Sequence, residues 1–222
     1  MIKNYRALHV YLEKFSKNDN LFPILLEEYM KGFKEVEVDG ICDGKNVFIA
    51  GIMEQIEPVG IHSGDSKCIF PPFSLSKRVK ESILNLSEEL ASSLNILGLF
   101  NIQFAIKDND IFVIEVNPRA SRTIPYLSKS LGISLVKIAT KSVLGVPLTH
   151  QNVFNLKKQN LFSMKKPVFS DVLNTNNLKS GPEMFSTGEK MIIGNSFNNL
   201  MNKSKGIYIN PKSIQEVHQE NQ

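Results

Sequence analysis

The chain has 222 residues, 42% hydrophobic and 22% charged, with a net charge of +4. That balance is ordinary for a folded globular protein, and the scattered lysines, without a dense run or interleaved aromatics, argue against a nucleic-acid surface. Cys42 and Cys68 are the only cysteines and lack CxxC spacing, so neither a zinc knuckle nor a disulfide framework is indicated and buried inert thiols are expected. No signal-peptide pattern and no membrane-length apolar run is present, which points to a cytoplasmic protein with no membrane partner.

In chain order, Leu8, Tyr11, Leu12 and Phe15 suggest a short helix, and Ser16-Lys-Asn-Asp-Asn breaks it. Phe22-Pro-Ile-Leu-Leu-Glu-Glu-Tyr-Met reads as a buried strand running into a hinge at Glu28–Met30. Glu35-Val-Glu-Val-Asp-Gly-Ile alternates strictly, as a strand with one polar face does. After a turn at Cys42-Asp-Gly-Lys-Asn, Val47 to Gln55 is the returning strand of an antiparallel hairpin. Gly60-Ile-His-Ser-Gly-Asp-Ser is a loop of small and polar residues, either a plain turn or a cradle of backbone amides for phosphate. His62 within it is either exposed or a ligand.

The clearest helix spans about Leu75 to Ile96, with Val79, Ile83, Leu86, Leu90, Leu94 and Leu97 on one stripe. The stripe needs a sheet to cover, and the Gln103–Asn117 hairpin that follows is the natural one. Asn95 and Gly98 stop the helix. Pro125 fits the first turn of a short helix that Gly132 ends, and Ser134 caps a second one running to Gly145. Residues 146–180 are poor in pattern. Phe162 to Phe169 reads as a strand in two pieces, with Pro167 marking an edge or bulge. Gly181-Pro-Glu-Met-Phe-Ser-Thr-Gly-Glu is rich in turn residues, and Ser196 caps a helix to about Lys203. Ile207-Tyr-Ile starts a strand, and Pro211 to Gln222 forms a frayed tail.

The chemistry concentrates at Asn101-Ile-Gln-Phe-Ala-Ile-Lys-Asp-Asn-Asp-Ile-Phe-Val-Ile-Glu-Val-Asn-Pro-Arg. Two apolar runs flank a turn, and their polar exceptions are Gln103, Glu115 and Asn117. An acid in an otherwise buried strand is costly unless it is paired or holds a cation. Three oxygen donors suit a hard cation such as magnesium, and Arg119 and Arg122 could hold phosphates bridged by it. For Gln103 and Glu115 to share a face they must pair across the strands, which requires Asp108, Asn109 and Asp110 to form a three-residue loop; a two-residue loop would slip the register.

Four motifs then stand in one order and spacing: Glu54-Gln-Ile-Glu-Pro-Val-Gly-Ile-His-Ser-Gly-Asp-Ser, Asn101-Ile-Gln-Phe-Ala, Ile114-Glu-Val-Asn-Pro-Arg-Ala-Ser-Arg-Thr-Ile-Pro, and Gly181-Pro-Glu-Met-Phe-Ser-Thr-Gly-Glu. Together they closely resemble the carbamoyl phosphate synthase large-chain family, from about Leu21 to Ile209, and their wording resembles the second of that chain's two ATP-grasp halves. The resemblance implies an α+β fold, a partial ATP-grasp unit with helices packed on an antiparallel sheet. It implies an ATP-dependent ligase that phosphorylates carbamate to carbamoyl phosphate for arginine and pyrimidine biosynthesis. By position it implies that Gln103, Glu115 and Asn117 ligate Mg2+ or Mn2+, and that Arg122, with Arg119, holds the transferring phosphate. Glu28 and Met30 then lie at the adenine hinge and Glu35 holds the ribose, while Gly60, Ile61, His62 and Ser63 line the nucleotide. The implied partners are ATP, carbamate, a glutamine-hydrolysing small chain and the remainder of the large chain.

The expected division is 1–26 as a remnant of the lid subdomain, 27–150 as the nucleotide- and metal-binding core, 151–210 as the trailing part of the half, and 211–222 as a tail toward a regulatory domain. The chain departs from the family at Glu28, where the family is not strongly acidic, and at Phe185, where it has arginine. It also begins inside the ATP-grasp unit, as a piece of a split or degraded gene would. The alternatives are a non-catalytic remnant that binds a partner chain, or another ATP-grasp ligase; the Gly-Pro-Glu-Met-x-Ser-Thr-Gly-Glu stretch argues against the latter.

Overall fold

The computed structural model describes residues 2–15, 24–26, 28, 30–155, 161–170, 181 and 183–205. The chain divides into two compact units, Met1–Lys31 and Gly32–Gln222.

In the first unit, α1 (Tyr5–Phe15) forms where the apolar spacing calls for it. The strand expected from Phe22 to Met30 does not form among the described residues: Ile24, Leu25 and Leu26 are irregular, and Leu25 and Leu26 are exposed. An apolar run becomes a strand only when a neighbour takes its backbone hydrogen bonds, and none of the described residues there is paired in the sheet.

The second unit is built on one seven-stranded antiparallel sheet with strand order β5-β4-β1-β2-β3-β6-β7. The strands are β1 (Lys34–Asp43), β2 (Val47–Gln55), β3 (Cys68–Phe70), β4 (Leu97–Lys107), β5 (Asp110–Asn117), β6 (Phe162–Val168) and β7 (Gly188–Gly194). The helices are α2 (Lys77–Ser93), α3 (Thr123–Leu131), α4 (Leu135–Val143) and α5 (Phe197–Lys205).

The alternation of β1 divides the core. Val36 and Val38 face one side, where with Ile52, Phe100, Ile102 and Phe104 they meet Val79, Ile83 and Ala91 of α2. Ile41 faces the other, where Met53 and Cys68 meet Ile124 and Leu127 of α3 and Leu135 and Ala139 of α4. Thus α2 lies against β1 and β2 and shares a core with β4, rather than covering the β4–β5 hairpin. Its stripe also ends sooner than expected: Leu94 and Leu97 are exposed because α2 ends at Ser93, which leaves Leu94 at the cap and Leu97 in β4, while Ser87 and Ala91 join Val79 and Ile83 on the buried face.

The caps fall where the side chains allow them. Ser76 accepts the N–H of Val79 to start α2, and Ser134 accepts that of Lys137 to start α4. Gly132 ends α3 in the left-handed region with φ 69°. Ser196 accepts the N–H of Asn199 at the start of α5.

β6 is one continuous strand, bonded on both sides, not two pieces at an edge. It tolerates Pro167 because β3 pairs only with Ser163–Lys165 and stops short of the proline. The strand expected at Ile207 and the tail from Pro211 lie outside the described residues. No described helix is long and apolar enough to cross a membrane.

Candidate functional site

Adjacent strands place the polar residues in rows. Glu37 of β1 is opposite Gln103 of β4, which is opposite Glu115 of β5. One row away, Asp39 is opposite Asn101, and Asn101 is opposite Asn117. These rows lie on the α3 and α4 side of the sheet, where the start of α3 meets them through Thr123 and Asp39.

The pairing of Gln103 with Glu115 is as expected, but its cause differs. Lys107 pairs with Asp110 around a two-residue turn, Asp108-Asn109, with Asp108 at φ 55°. The register then shifts between Gln103 and Phe104, which pairs with Val113, leaving Ile114 as the extra residue of a β-bulge. A second expectation fails: β5 is an edge strand, and Phe112, Val113, Ile114 and Glu115 are exposed. The cost of burying Glu115 therefore does not argue for a cation. The convergence of the donors does.

Glu37, His62, Ser63, Asn101, Gln103, Glu115, Asn117, Arg119, Ser121, Arg122, Thr123, Lys165 and Met184 line one cavity of about 260 Å³. Of the expected residues, Gln103, Glu115, Asn117, Arg119, Arg122, His62 and Ser63 thus come together. Glu35, Gly60 and Ile61 are not in that lining, although the Gly60 backbone interacts with the buried Glu35 carboxylate. Glu28 is exposed and Met30 half-buried, both in the Met1–Lys31 unit.

Electrostatics set the cavity apart from a solvated surface. Glu35, Glu37 and Asp39 lie on one face of β1 and are all buried. Burial, then the charges of Glu37 and Glu115, pushes Glu35 up to about 7. Burial and the neighbouring Asp39 likewise push Glu37 up to about 7. Burial also raises Asp39, although Asn101, Ser121 and Thr123 all donate hydrogen bonds to its carboxylate. Gln55 Nε2 donates to Glu37 Oε1 at 2.8 Å. The compensating charge is Lys165 of β6, fully buried, which favours the ionised form of each of these acids.

Sequence reasoning missed Glu37, Asn101, Ser121, Thr123, Lys165 and Met184. The alternation in Glu35-Val-Glu-Val-Asp carried a signal for Glu37. A lysine between Met164 and Pro167 in an apolar strand carried one for Lys165.

The donor set fits a hard divalent cation. Glu115 and Asn117 already touch: Asn117 Nδ2 donates to Glu115 Oε1 at 2.6 Å. Turning the Asn117 amide over presents its oxygen beside the carboxylate and across the strand pair from Gln103. Arg119, whose Nη1 donates to the Ala120 carbonyl at 3.1 Å, and Arg122 follow at the N-terminal end of α3. That end offers few amides of its own, because Ile124 N–H bonds the Ser121 carbonyl and Pro125 has no N–H, so the two arginines supply the attraction for an anion.

An α+β sheet with this cavity on one face is the ATP-grasp architecture. The solved biotin carboxylase domain of a single-chain bacterial carboxylase superposes with a TM-score of 0.63 over 77% of this chain and 38% of its own, at 17% identity. The ADP complex of N5-carboxyaminoimidazole ribonucleotide synthetase does so with 0.60 over 79% and 48%, at 16% identity. Residues 10–151 match the family described as "Carbamoyl-phosphate synthase L chain, ATP binding domain", and the chain belongs to that family. It is 44% identical over 197 residues (87% of this chain) to the carbamoyl phosphate synthase large chain of Lachnoclostridium phytofermentans. It is 44% identical over 213 residues (95%) to that of Buchnera aphidicola, and 39% over 220 residues (92%) to that of Campylobacter jejuni. The chain spans about a fifth of the length of these relatives, which it covers to 18%, 20% and 20%.

Proposed function

We propose that the cavity binds ATP with Mg2+ or Mn2+, and that the chain supplies the phosphate-handling part of a unit that phosphorylates carbamate to carbamoyl phosphate, a precursor for arginine and pyrimidine biosynthesis. The observation that carries this reading is the meeting of Gln103, Glu115 and Asn117 with Arg119 and Arg122 around one cavity. Family membership supports carbamate as the acceptor, since the relatives matched are named for carbamoyl phosphate.

In this reading Gln103, Glu115 and Asn117 hold the divalent cation, which when bound neutralises charge on the nucleotide phosphates. Arg122, with Arg119 beside it, steadies the phosphoryl group as a carbamate oxygen attacks the terminal phosphorus and ADP leaves. His62 and Ser63 close the opposite wall. Gly64 N donates to His62 Nδ1 at 3.0 Å, so the neutral imidazole carries its proton on Nε2 and can donate to a phosphate oxygen. Glu35 reaches the ribose, Gly60 and Ile61 flank the nucleotide, and Glu28 and Met30 form the adenine hinge. Residues 1–26 correspond to part of a lid, 27–150 to the nucleotide and metal core and 151–210 to its trailing part. A glutamine-hydrolysing small chain and the rest of a large chain complete the enzyme in the cytoplasm.

The test is thermal unfolding with and without Mg·ATP. Ligand at ten times its Kd adds about 1.4 kcal/mol, a rise of roughly 3–5 °C for a chain this size. The rise is expected for the native chain and lost in Glu115→Gln. A native chain with no rise, in a sample that unfolds cooperatively, would overturn the reading.

A further inference from the structure

The loop carrying His62 and Ser63 closes on itself through the Asp65 N–H to the His62 carbonyl at 2.8 Å, but most of its bonds run outward. It is fastened to a segment 120 residues away. Asp65 Oδ2 accepts the N–H of Phe185 at 2.8 Å, and Oδ1 accepts that of Ser186 at 2.8 Å. Ser186 Oγ donates to the Gly64 carbonyl at 2.9 Å, and His62 N donates to the Gly181 carbonyl at 2.8 Å. From the other side, Lys165 Nζ donates to the Ser63 carbonyl at 2.7 Å, with Glu189 Oε1 at 3.9 Å. Met184 packs over the joint: a methyl group on Gly64 would lie 2.9 Å from its sulfur and 3.1 Å from His62 Nδ1.

We infer that Asp65 and Lys165 are positioning residues: an anion inside the loop and a cation beneath it lock residues 60–66 so that His62 and Ser63 face the cavity. Two features make this more than a generic loop anchor. Asp65 spends both carboxylate oxygens on adjacent backbone N–H groups, a grip that an amide cannot copy because it offers one acceptor and turns a donor toward the other N–H. Lys165 is fully buried in the sheet, yet its ammonium reaches a main-chain carbonyl of the loop and not an exposed partner. The Gly64-to-His62 bond that fixes the imidazole proton on Nε2 lies between the two fastenings, so releasing either frees the ring. The turn-rich stretch around Met184, Phe185 and Ser186 thereby shapes the cavity wall that carries His62 and Ser63. Met184 of that stretch and Lys165 of β6 line the cavity together with Gln103, Glu115 and Asn117 of the β4–β5 hairpin.

The affinity readout rests on the nucleotide reading; the other two do not. The experiment compares the native chain with Asp65→Asn, Lys165→Met and Val79→Ala. The last is a core truncation under α2 that lowers stability without touching the loop. Three quantities are read well below each Tm: the Mg·ATP Kd by calorimetry, the exchange rates of the Phe185 and Ser186 amides, and the 15N shifts of the His62 imidazole. Asp65→Asn is expected to speed both amides at least tenfold, to move the His62 shifts from a single Nε2–H tautomer toward an averaged pair, and to weaken Mg·ATP roughly tenfold, about the effect of one lost charged hydrogen bond. Lys165→Met is expected to give the same His62 and Kd changes, and Val79→Ala to leave all three near native values. Unchanged His62 shifts in Asp65→Asn, or a Kd loss that Val79→Ala reproduces, would overturn the inference. A native chain that binds no Mg·ATP overturns the nucleotide reading alone, and the amide and imidazole readouts then decide the positioning roles.

Discussion

Gln103 and Glu115 lie opposite each other across β4 and β5 although the turn between those strands is one residue too short for that pairing; the bulge at Ile114 restores it. The correction is local, and it brings the two oxygen donors to one cavity with Asn117. If both hold one cation, their losses are not independent. Gln103→Ala and Glu115→Gln are each expected to weaken Mn2+ binding about tenfold or more in the presence of ATP, and the double variant to lose less than the product. Manganese titration followed by electron paramagnetic resonance measures all four corners of the cycle. Strictly additive losses would mean that the two side chains do not share an ion.

That hairpin also shows how far the sequence could be read. The polar exceptions in two apolar runs identified Gln103, Glu115 and Asn117, because side-chain alternation is a property of the strand itself. Whether β5 is an edge or a centre is a property of the whole sheet, and its apolar side chains at Phe112–Ile114 gave no sign of exposure. The same limit hid Glu37. Alternation placed Glu35, Glu37 and Asp39 on one face, but only the assembled sheet, with Lys165 brought in by β6, shows that face to be buried. β3 was illegible for another reason: three residues before a Pro-Pro pair carry no period.

The buried acids make stability depend on pH. Glu37 titrates near 4.5 when unfolded and near 7 when folded, so between those values the folded state binds the extra proton. Its favourable contribution is therefore complete below about pH 4.5 and lost as pH rises through about 7. Glu37→Gln removes the ionisation and keeps the shape. It is expected to raise stability at pH 8 by up to about 3 kcal/mol relative to its effect at pH 4.5, at about 1.4 kcal/mol per pKa unit. Urea titrations at the two pH values measure this. An equal effect at both would mean that Glu37 is not held neutral by its burial.

Two glycines of β7 are expected to respond differently to the same substitution. A methyl group on Gly194 would lie 2.6 Å from the backbone nitrogen of Leu200 and 2.8 Å from its Cα, where α5 crosses the strand end. A methyl group on Gly188 would find only Val168 Cβ, at 3.9 Å. Gly194→Ala must therefore push helix backbone away and is expected to cost about 1–3 kcal/mol, while Gly188→Ala stays within about 0.5 kcal/mol of native. Chemical denaturation of both variants gives the comparison. Similar stabilities would show that α5 moves aside at little cost.

Arg122 offers the sharpest test of which end of the nucleotide enters the cavity. It lines the cavity at the N-terminal side of α3, close in sequence to Asn117 and Arg119, and is itself exposed. If it meets the terminal phosphate, its removal weakens ATP more than ADP, since ADP has no group there to lose. Arg122→Ala is expected to weaken Mg·ATP by roughly 10- to 100-fold, the range for a charge-assisted contact of about 1.5–3 kcal/mol, and Mg·ADP by a few-fold at most. Arg122→Lys should recover only part of the difference, because a point charge replaces a guanidinium that can grip two oxygens at once. Calorimetric titration of the three proteins with both nucleotides decides it. Equal losses for ATP and ADP would move Arg122 away from the terminal phosphate and toward one that both nucleotides share.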